Sequence, residues 1–256
     1  MKDLSNYFAD KYQVIITDPE NPMEGITVAG GFVKTKDTLK KEWQVSGEGS
    51  DNILKRLKKS IPLVIVFTGN KILTRWVQNI KENLFEEVDE DEFYFFTAIT
   101  EGNYTVQFII RKNIADHAIN LIKTEGFYIL GFTLSFGTIL SLEGIINTLS
   151  FTASGMHFAF TDSLLTHLSP GNEKQEAPIE IGKDIYNDNS ILLPGALVSH
   201  FKGWTVSNEI ISDSIIQHKY FNLSKKYSFL VLSFIFLISL INFFLFSSFS
   251  GNINEI

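Results

Sequence analysis

Cysteine is absent from the 256 residues, which excludes both disulfide frameworks and thiolate metal sites. Positive charge is also scarce, because 22 Lys and Arg stand against 29 Asp and Glu and give a net charge of −7. A nucleic-acid-binding face needs clustered positive charge, so we expect no nucleic-acid partner. The N-terminal residues are polar and no apolar run follows them. We therefore expect no cleavable secretory signal.

Motifs for nucleotides, metals and nucleophiles are missing as well. The sequence contains neither G-x-x-x-x-G-K-[ST] nor G-x-G-x-x-G. The turns that begin at Asp18 and Asp162 lack the glycine that lets a backbone approach phosphate in an actin-type Asp-x-Gly turn. The histidines do not have the spacing of zinc ligands. We expect no cofactor, no metal and no enzyme activity, although actin-class nucleotide binding remains an alternative.

A long apolar run lies near the C-terminus. From Ser228 to Ser248 the chain reads SFLVLSFIFLISLINFFLFSS and contains no charged residue. A helix of this length spans about 32 Å, which matches a hydrocarbon core of about 30 Å. The sequence therefore predicts a transmembrane helix over 227–249.

The flanks of this run predict its orientation. Lys225 and Lys226 precede it, whereas no Lys or Arg follows it. Because positive residues stay on the cytoplasmic side, we expect a cytoplasmic N-terminal domain in the inner membrane and a short periplasmic tail at 250–256. Tyr227 fits the interfacial aromatic position. Asn242 lies within the apolar run and is able to bond to a partner helix, which leaves a homodimer open.

The residues before the run alternate between strand and helix patterns. Strands are expected at 12–17, 25–33 and 39–45, followed by a helix that Asp51 caps and by a strand at 63–67, which is apolar at every position. A hairpin over 93–111 precedes a helix that ends at Gly126 and a strand at 127–134. Further strands are expected within 144–160, a loop at 169–189, and helices at 192–201 and 208–222. Such a mixture predicts a mixed-sheet α/β domain.

Two charged segments are candidate partner-binding surfaces, because charged faces steer assembly and set specificity. The acidic segment contains Glu86, Glu87, Asp89, Glu90, Asp91 and Glu92. The basic segment contains Lys55, Arg56, Lys58 and Lys59, which are expected on the outer face of the first helix. Plain solvated surface is the alternative for each segment.

Three stretches resemble one family of proteins. The stretch IPLVIVFTGNKILTR at 61–75 is similar to the strand, glycine turn and strand of GspL- and PilM-type cytoplasmic domains. The stretch from Asp91 through the strand 104–111, Lys112 and the helix to Gly126 resembles their second hairpin and helix. The stretch LLPGAL at 192–197 resembles their late helix. The resemblance covers about 12–249.

This resemblance implies a degenerate actin-like, ribonuclease-H-type fold in two lobes over 1–206, with an amphipathic linker helix at 207–226. It also implies a non-enzymatic inner-membrane scaffold of a type II secretion or type IV pilus machine. The implied partners are a cytoplasmic assembly ATPase and bitopic inner-membrane platform proteins. The missing Asp-x-Gly turns agree better with GspL than with PilM. A membrane-tethered regulator unrelated to secretion is a further alternative.

Overall fold

The computed structural model describes residues 10–35, 38–78, 85, 88–101, 104–171 and 178–253. The chain divides into two units, Met1–Ser214 and Ile215–Ile256. Every strand of the described residues lies in the first unit, and the described residues of the second unit are helical.

The elements alternate along the chain. The strands are β1 Lys11–Thr17, β2 Val28–Lys34, β3 Leu39–Ser46, β4 Leu63–Phe67, β5 Leu73–Gln78, β6 Phe93–Ile99, β7 Tyr104–Arg111, β8 Ile129–Leu134, β9 Ser150–Ala153, β10 Met156–Thr161, β11 Leu164–Pro170, β12 Ile179–Ile181 and β13 Asp184–Tyr186. The helices are α1 Ser50–Arg56, α2 Lys112–Thr124, α3 Gly137–Leu140, α4 Leu192–Phe201 and α5 Glu209–Ile253. A 3₁₀ turn covers Asp188–Ile191.

The first unit is built on a five-stranded sheet with the order β3-β2-β1-β4-β8. Strand β1 pairs antiparallel with β2 and parallel with β4, and β4 pairs parallel with β8. Strands β1 to β3 form a meander, whereas β4 and β8 return through segments that contain α1 and α2, as parallel pairing requires. Every residue of β4 is buried, which explains why its sequence is apolar at each position.

Helix α4 covers one face of the central sheet. Tyr12 of β1 packs edge-on against Phe201, with 5.3 Å between the ring centroids. The Cδ1 atom of Leu193 lies 2.9 Å from where a Cβ on Gly30 would be. Helix and strand therefore approach each other as closely as a strand glycine permits.

Residues of β6 and of the segment after α1 contact the opposite face. Tyr94 of β6 packs against Phe132 of β8, with 5.4 Å between the ring centroids. The buried Gln13 side chain donates to the carbonyl oxygens of Lys58 and Ile61 and accepts from the amide of Lys58 at 2.8 Å. These bonds satisfy an amide that would be costly to bury alone.

A chain of phenylalanine rings joins the sheet β5-β7-β6 to the sheet β11-β10-β9. Successive ring centroids lie between 4.9 and 5.7 Å apart in the order Phe96, Phe108, Phe136, Phe158, Phe151 and Phe160. All six rings are buried. Rings of this size contribute heavily to a core, so the two sheets share one. Both sheets belong to one compact unit, Met1–Ser214.

The mixed α/β fold is confirmed, and most of its expected strands and helices are present with small differences at their ends. Asp51 lies in the first turn of α1 and the N-cap is Gly49. Lys58 and Lys59 follow α1 instead of lying on it, because the helix ends at Arg56. Gly126, with φ +87°, terminates α2 as expected.

Five features differ more strongly from the sequence prediction. Strands β5 and β11 and the short helix α3 lie where no such element was expected from the pattern of the residues alone. The expected loop at 169–189 contains the hairpin of β12 and β13. Helix α5 runs without interruption through the expected linker helix and the apolar run.

Candidate functional site

The carboxyl ends of the parallel strands β1, β4 and β8 meet at one edge of the central sheet, which is where α/β proteins commonly bind ligands. Asp18 follows β1 there, and its Oδ1 accepts from the Glu20 amide at 2.9 Å. Glu20 forms an ion pair of 3.1 Å with Lys71, which follows β4. The Asp18 Oδ2 atom lies 3.2 Å from where a Cβ on Gly69 would be. The Glu20–Lys71 ion pair therefore joins the loops after β1 and β4, and the Asp18 carboxylate lies close to the backbone of Gly69.

Several other polar groups at this edge bond within the protein. The Thr17 hydroxyl donates to the Pro22 carbonyl at 2.9 Å, and the amide of Thr68 donates to the Thr17 carbonyl. The amide of Ser135, after β8, donates to the Phe67 carbonyl at 2.7 Å. Among the described residues no group of three or more His, Asp or Glu side chains is placed to hold a metal ion.

The acidic segment lies just before β6, and its described residues are exposed. The Asp89 carboxylate accepts from the Asp91 amide at 2.8 Å, and the Asp89 carbonyl accepts from the amide of Glu92. The Glu92 carbonyl accepts from the amide of Lys112, which fixes the end of the segment beside α2. Glu90 is exposed. Glu86 and Glu87 lie outside the described residues.

The basic segment forms an exposed surface at the end of α1 and in the turn that follows. Arg56 makes an ion pair of 3.3 Å with Glu48, and Lys55 is exposed beside it. Lys58 is exposed while its backbone amide bonds to Gln13. The Lys59 ammonium lies 5.8 Å from the centroid of the Phe127 ring. All four basic residues are exposed.

The second unit carries one helix that is long and apolar enough to cross a membrane, Tyr227–Leu245. No part of this segment is buried in the structure. Tyr227 and Asn242 are exposed at its beginning and within it. The side chains of Lys225 and Lys226 lie outside the described part of the helix. A helix exposed on all sides with this composition is suited to lipid rather than to water.

A shared carboxylate at the start of α5 was not expected from the sequence. The Asp116 Oδ1 of α2 accepts from the Tyr94 hydroxyl at 2.8 Å and from the Asn208 Nδ2 at 2.6 Å. The Asn208 Oδ1 accepts from the Ile211 amide, so Asn208 caps α5. Burial, the largest cause, raises the pKa of Tyr94, while Asn208 lowers it and Asp116 raises it.

Further contacts hold the same end of the first unit. Val206 and Phe132 exchange backbone hydrogen bonds of 2.9 and 3.2 Å, so the segment before α5 adds to the edge of β8. The Lys123 ammonium donates to the Ile210 carbonyl. The side chains of Ile211 and Ser214 are buried. The residues from Val206 to Ser214 are thus part of the folded unit.

The strand order and pairing define a mixed α/β protein whose central sheet has the order β3-β2-β1-β4-β8. A scan of protein-family models and a search of curated proteins found no match. Among solved structures, the chain is similar to the cytoplasmic domain of EpsL, an inner-membrane component of the type II secretion system of Vibrio cholerae. That match has a TM-score of 0.38 and 7% identity, and it covers 62% of this chain and 71% of that chain.

A second similar structure is a Bacteroides thetaiotaomicron protein with an actin-like ATPase fold and unknown function. Its TM-score is 0.35 and its identity 11%, and the match covers 68% of this chain and 74% of that chain.

Proposed function

We propose that this protein is a non-enzymatic inner-membrane scaffold of a secretion or pilus assembly machine. Its cytoplasmic domain docks an assembly ATPase, and its apolar helix holds that domain at bitopic partners in the membrane. The observation that carries the proposal is the exposed apolar helix Tyr227–Leu245 on a chain that also folds an α/β unit. The choice of machine comes from the sequence resemblance at 61–75, 91–126 and 192–197.

The carboxyl edge of the central sheet favours a scaffold function rather than the activity of an actin-class ATPase. An ATPase needs backbone amides and a glycine turn around the phosphates. Here the ion pair between Glu20 and Lys71 joins the loops after β1 and β4. The Asp18 carboxylate already accepts from the amide two residues on, so it is used in shaping its own turn.

The charged surfaces supply docking sites of opposite sign. Asp89, Glu90, Asp91 and Glu92 lie together before β6, and Lys55, Arg56, Lys58 and Lys59 lie together after α1. Exposed charges raise the rate of encounter and discriminate between partners. Each surface therefore accepts a partner face of the opposite charge.

Affinity purification of the tagged full-length protein from detergent-solubilised native membranes tests the proposal. We expect an assembly ATPase and bitopic platform proteins among the proteins recovered, as identified by mass spectrometry. The double variant Lys55→Glu/Arg56→Glu should reduce recovery of one partner, whereas Lys183→Glu, an exposed lysine in the turn between β12 and β13, should not.

Two other results would contradict the scaffold. Intact, membrane-bound protein that recovers no secretion or pilus component would favour a membrane-tethered regulator. Specific binding of ATP by the purified protein would instead favour the actin-class nucleotide-binding alternative.

A further inference from the structure

The apolar run consists of three aligned heptads. Written from Ser228, they read SFLVLSF, IFLISLI and NFFLFSS. The second residue of each heptad is Phe, at Phe229, Phe236 and Phe243. The fourth residue of each is aliphatic, at Val231, Ile238 and Leu245. A repeat of seven is the period of helices that supercoil around one another.

The first and fourth positions of these heptads form one stripe along the helix. The stripe consists of Ser228, Val231, Ile235, Ile238, Asn242 and Leu245. All six are exposed side chains of the second unit. The spacing of three and four residues keeps them on one side of a helix, and this side is the seam of a left-handed helix pair. We call this stripe the seam.

Aromatic residues are excluded from the seam. The described phenylalanines of the span are Phe229, Phe234, Phe236, Phe243 and Phe244, and each falls at another heptad position. Three of them form a row at the second position. Aliphatic residues at the first and fourth heptad positions pack between two supercoiled helices, and the phenylalanine rings then face the lipid.

Asn242 supplies the polar group of the seam. Its amide has two donors and an acceptor, so it is complementary to a second copy of itself. In hydrocarbon such a group is costly without a partner. A single Asn at the first heptad position also favours one register and a defined number of helices. Ser233 lies off the seam, and its hydroxyl already donates to the Phe229 carbonyl of its own helix at 2.8 Å.

We propose that the span pairs with a second copy of this chain in parallel orientation, with Asn242 opposite Asn242 and the seam buried between the two helices. This inference rests on the membrane anchorage in the proposed function. It identifies a second copy of the chain as one partner of the apolar helix. Parallel orientation follows because both copies enter the membrane in the same direction. Left-handed pairs of this kind are the commonest arrangement of membrane helices.

Because the chain contains no cysteine, a single introduced thiol reports on one position alone. The full-length variants Ile235→Cys and Ile238→Cys place it in the seam, and Leu237→Cys and Leu240→Cys place it outside. Native membranes are extracted with carbonate, and the resistant protein is oxidised with copper phenanthroline. We expect disulfide-linked dimers from the two seam variants at several times the yield of the other two.

The role of Asn242 is tested in the Ile238→Cys background. Asn242→Leu should weaken dimerisation about three-fold, the size of an average side-chain hydrogen bond between membrane helices. Ser233→Ala is the matched control, and it should leave the yield unchanged.

Equal dimer yields at all four positions, or higher yields outside the seam, would overturn the pairing. So would seam variants that form disulfides with a different protein instead of with a second copy of this chain. These results leave the proposed scaffold standing, because the protein is still in the membrane. Release by carbonate would instead overturn both proposals.

Discussion

The indole of Trp43 lies directly over Gly31, its cross-strand partner in β2 and β3. A Cβ on Gly31 would fall 2.1 Å from the Trp43 Nε1 atom. No side chain fits there unless the ring moves. The ring in turn covers the backbone that the glycine leaves open, as aromatic residues do beside strand glycines.

Gly31→Ser should displace the Trp43 ring and destabilise the fold by about 1–3 kcal/mol, the usual cost of overpacking. The change is measured by chemical denaturation of the full-length protein in detergent, followed by tryptophan fluorescence. Gly49→Ser is the matched control, because a Cβ there would meet no atom within 4 Å and serine is a favourable N-cap for α1. Equal stability of the two variants would contradict the contact.

Gly195→Ala should destabilise the protein, although alanine usually makes a helix more stable than glycine does. Alanine normally stabilises a helix interior by about 1 kcal/mol relative to glycine. Here a Cβ on Gly195 would lie 2.5 Å from the carbonyl oxygen of Thr138, at the contact between α3 and α4. We expect a net loss of stability in the same denaturation measurement, because a backbone atom cannot yield as a side chain does. A gain would show that the two helices separate easily.

Asp116→Ala should destabilise the start of α5, because both Tyr94 and Asn208 lose their acceptor. Hydrogen bonds to a charged group contribute about 1.5–3 kcal/mol, and partial exposure of Asp116 places the expected loss near the lower end. Hydrogen exchange of the amides at 209–214 measures it. Asn120→Ala, at an exposed residue of the same helix, is the control.

A double-mutant cycle then separates the Tyr94 bond from general disruption. Tyr94→Phe should cost less once Asp116 has been replaced, since the acceptor is already gone. Equal costs in both backgrounds would rule out the pair as a stabilising contact.

Stability should fall above pH about 10, where phenols of the unfolded chain ionise. Burial raises the pKa of Tyr12, Tyr94 and Tyr186 in the folded protein. The unfolded chain therefore releases protons that the folded protein retains, and each unit of pH shifts the equilibrium toward unfolding. Denaturation between pH 8 and about 11 gives this slope. Tyr186→Phe should reduce the slope, whereas the exposed Tyr220→Phe should not.

Leu237→Arg should lower membrane insertion. A charge at the centre of a spanning helix costs about 2.5–3.5 kcal/mol on insertion scales. Leu237 lies within the segment Tyr227–Leu245, and it is not part of the seam. Carbonate extraction compares it with Tyr220→Arg, an exposed site before the segment. Equal resistance of both variants would mean that this segment does not determine anchorage.

Local patterns predicted much of the fold. The apolar run of β4, the hairpin of β6 and β7 and the glycine that ends α2 each depend on neighbouring residues, and each was found. Strand β5 was missed from its residue pattern because three of its six residues are exposed and its pairing partner β7 lies far along the chain. The hairpin of β12 and β13 was missed because long-range contacts fix it.

Lys41 illustrates these long-range contacts. Its amide donates to the Asp184 carboxylate, its ammonium donates to the Ile185 carbonyl, and the same ammonium lies 4.2 Å from the Tyr186 ring centroid. None of these partners is near Lys41 in sequence. Contacts between residues far apart in the sequence therefore hold the hairpin against β3, and a local sequence pattern does not reveal them.

The candidate sites were predictable in part. The charged segments and the apolar run are local features, and their described residues are exposed as expected. The Asp116 contacts were not predictable, because Tyr94, Asp116 and Asn208 come from three separate segments. An aspartate on an amphipathic helix ordinarily indicates only a solvated face.

The order of strands in the central sheet also governs how the protein folds during synthesis. Gln13 of β1 pairs with Leu63 of β4, and Leu63 pairs with Ile129 of β8, so each pairing needs a strand that is synthesised later. Pairing over such separations is slow, because closing each long loop costs chain entropy before the strand contacts contribute favourable free energy. The sheet is thus unfinished while more than half the chain is being made, and its apolar strands are exposed to chaperones and to neighbouring nascent chains throughout that interval.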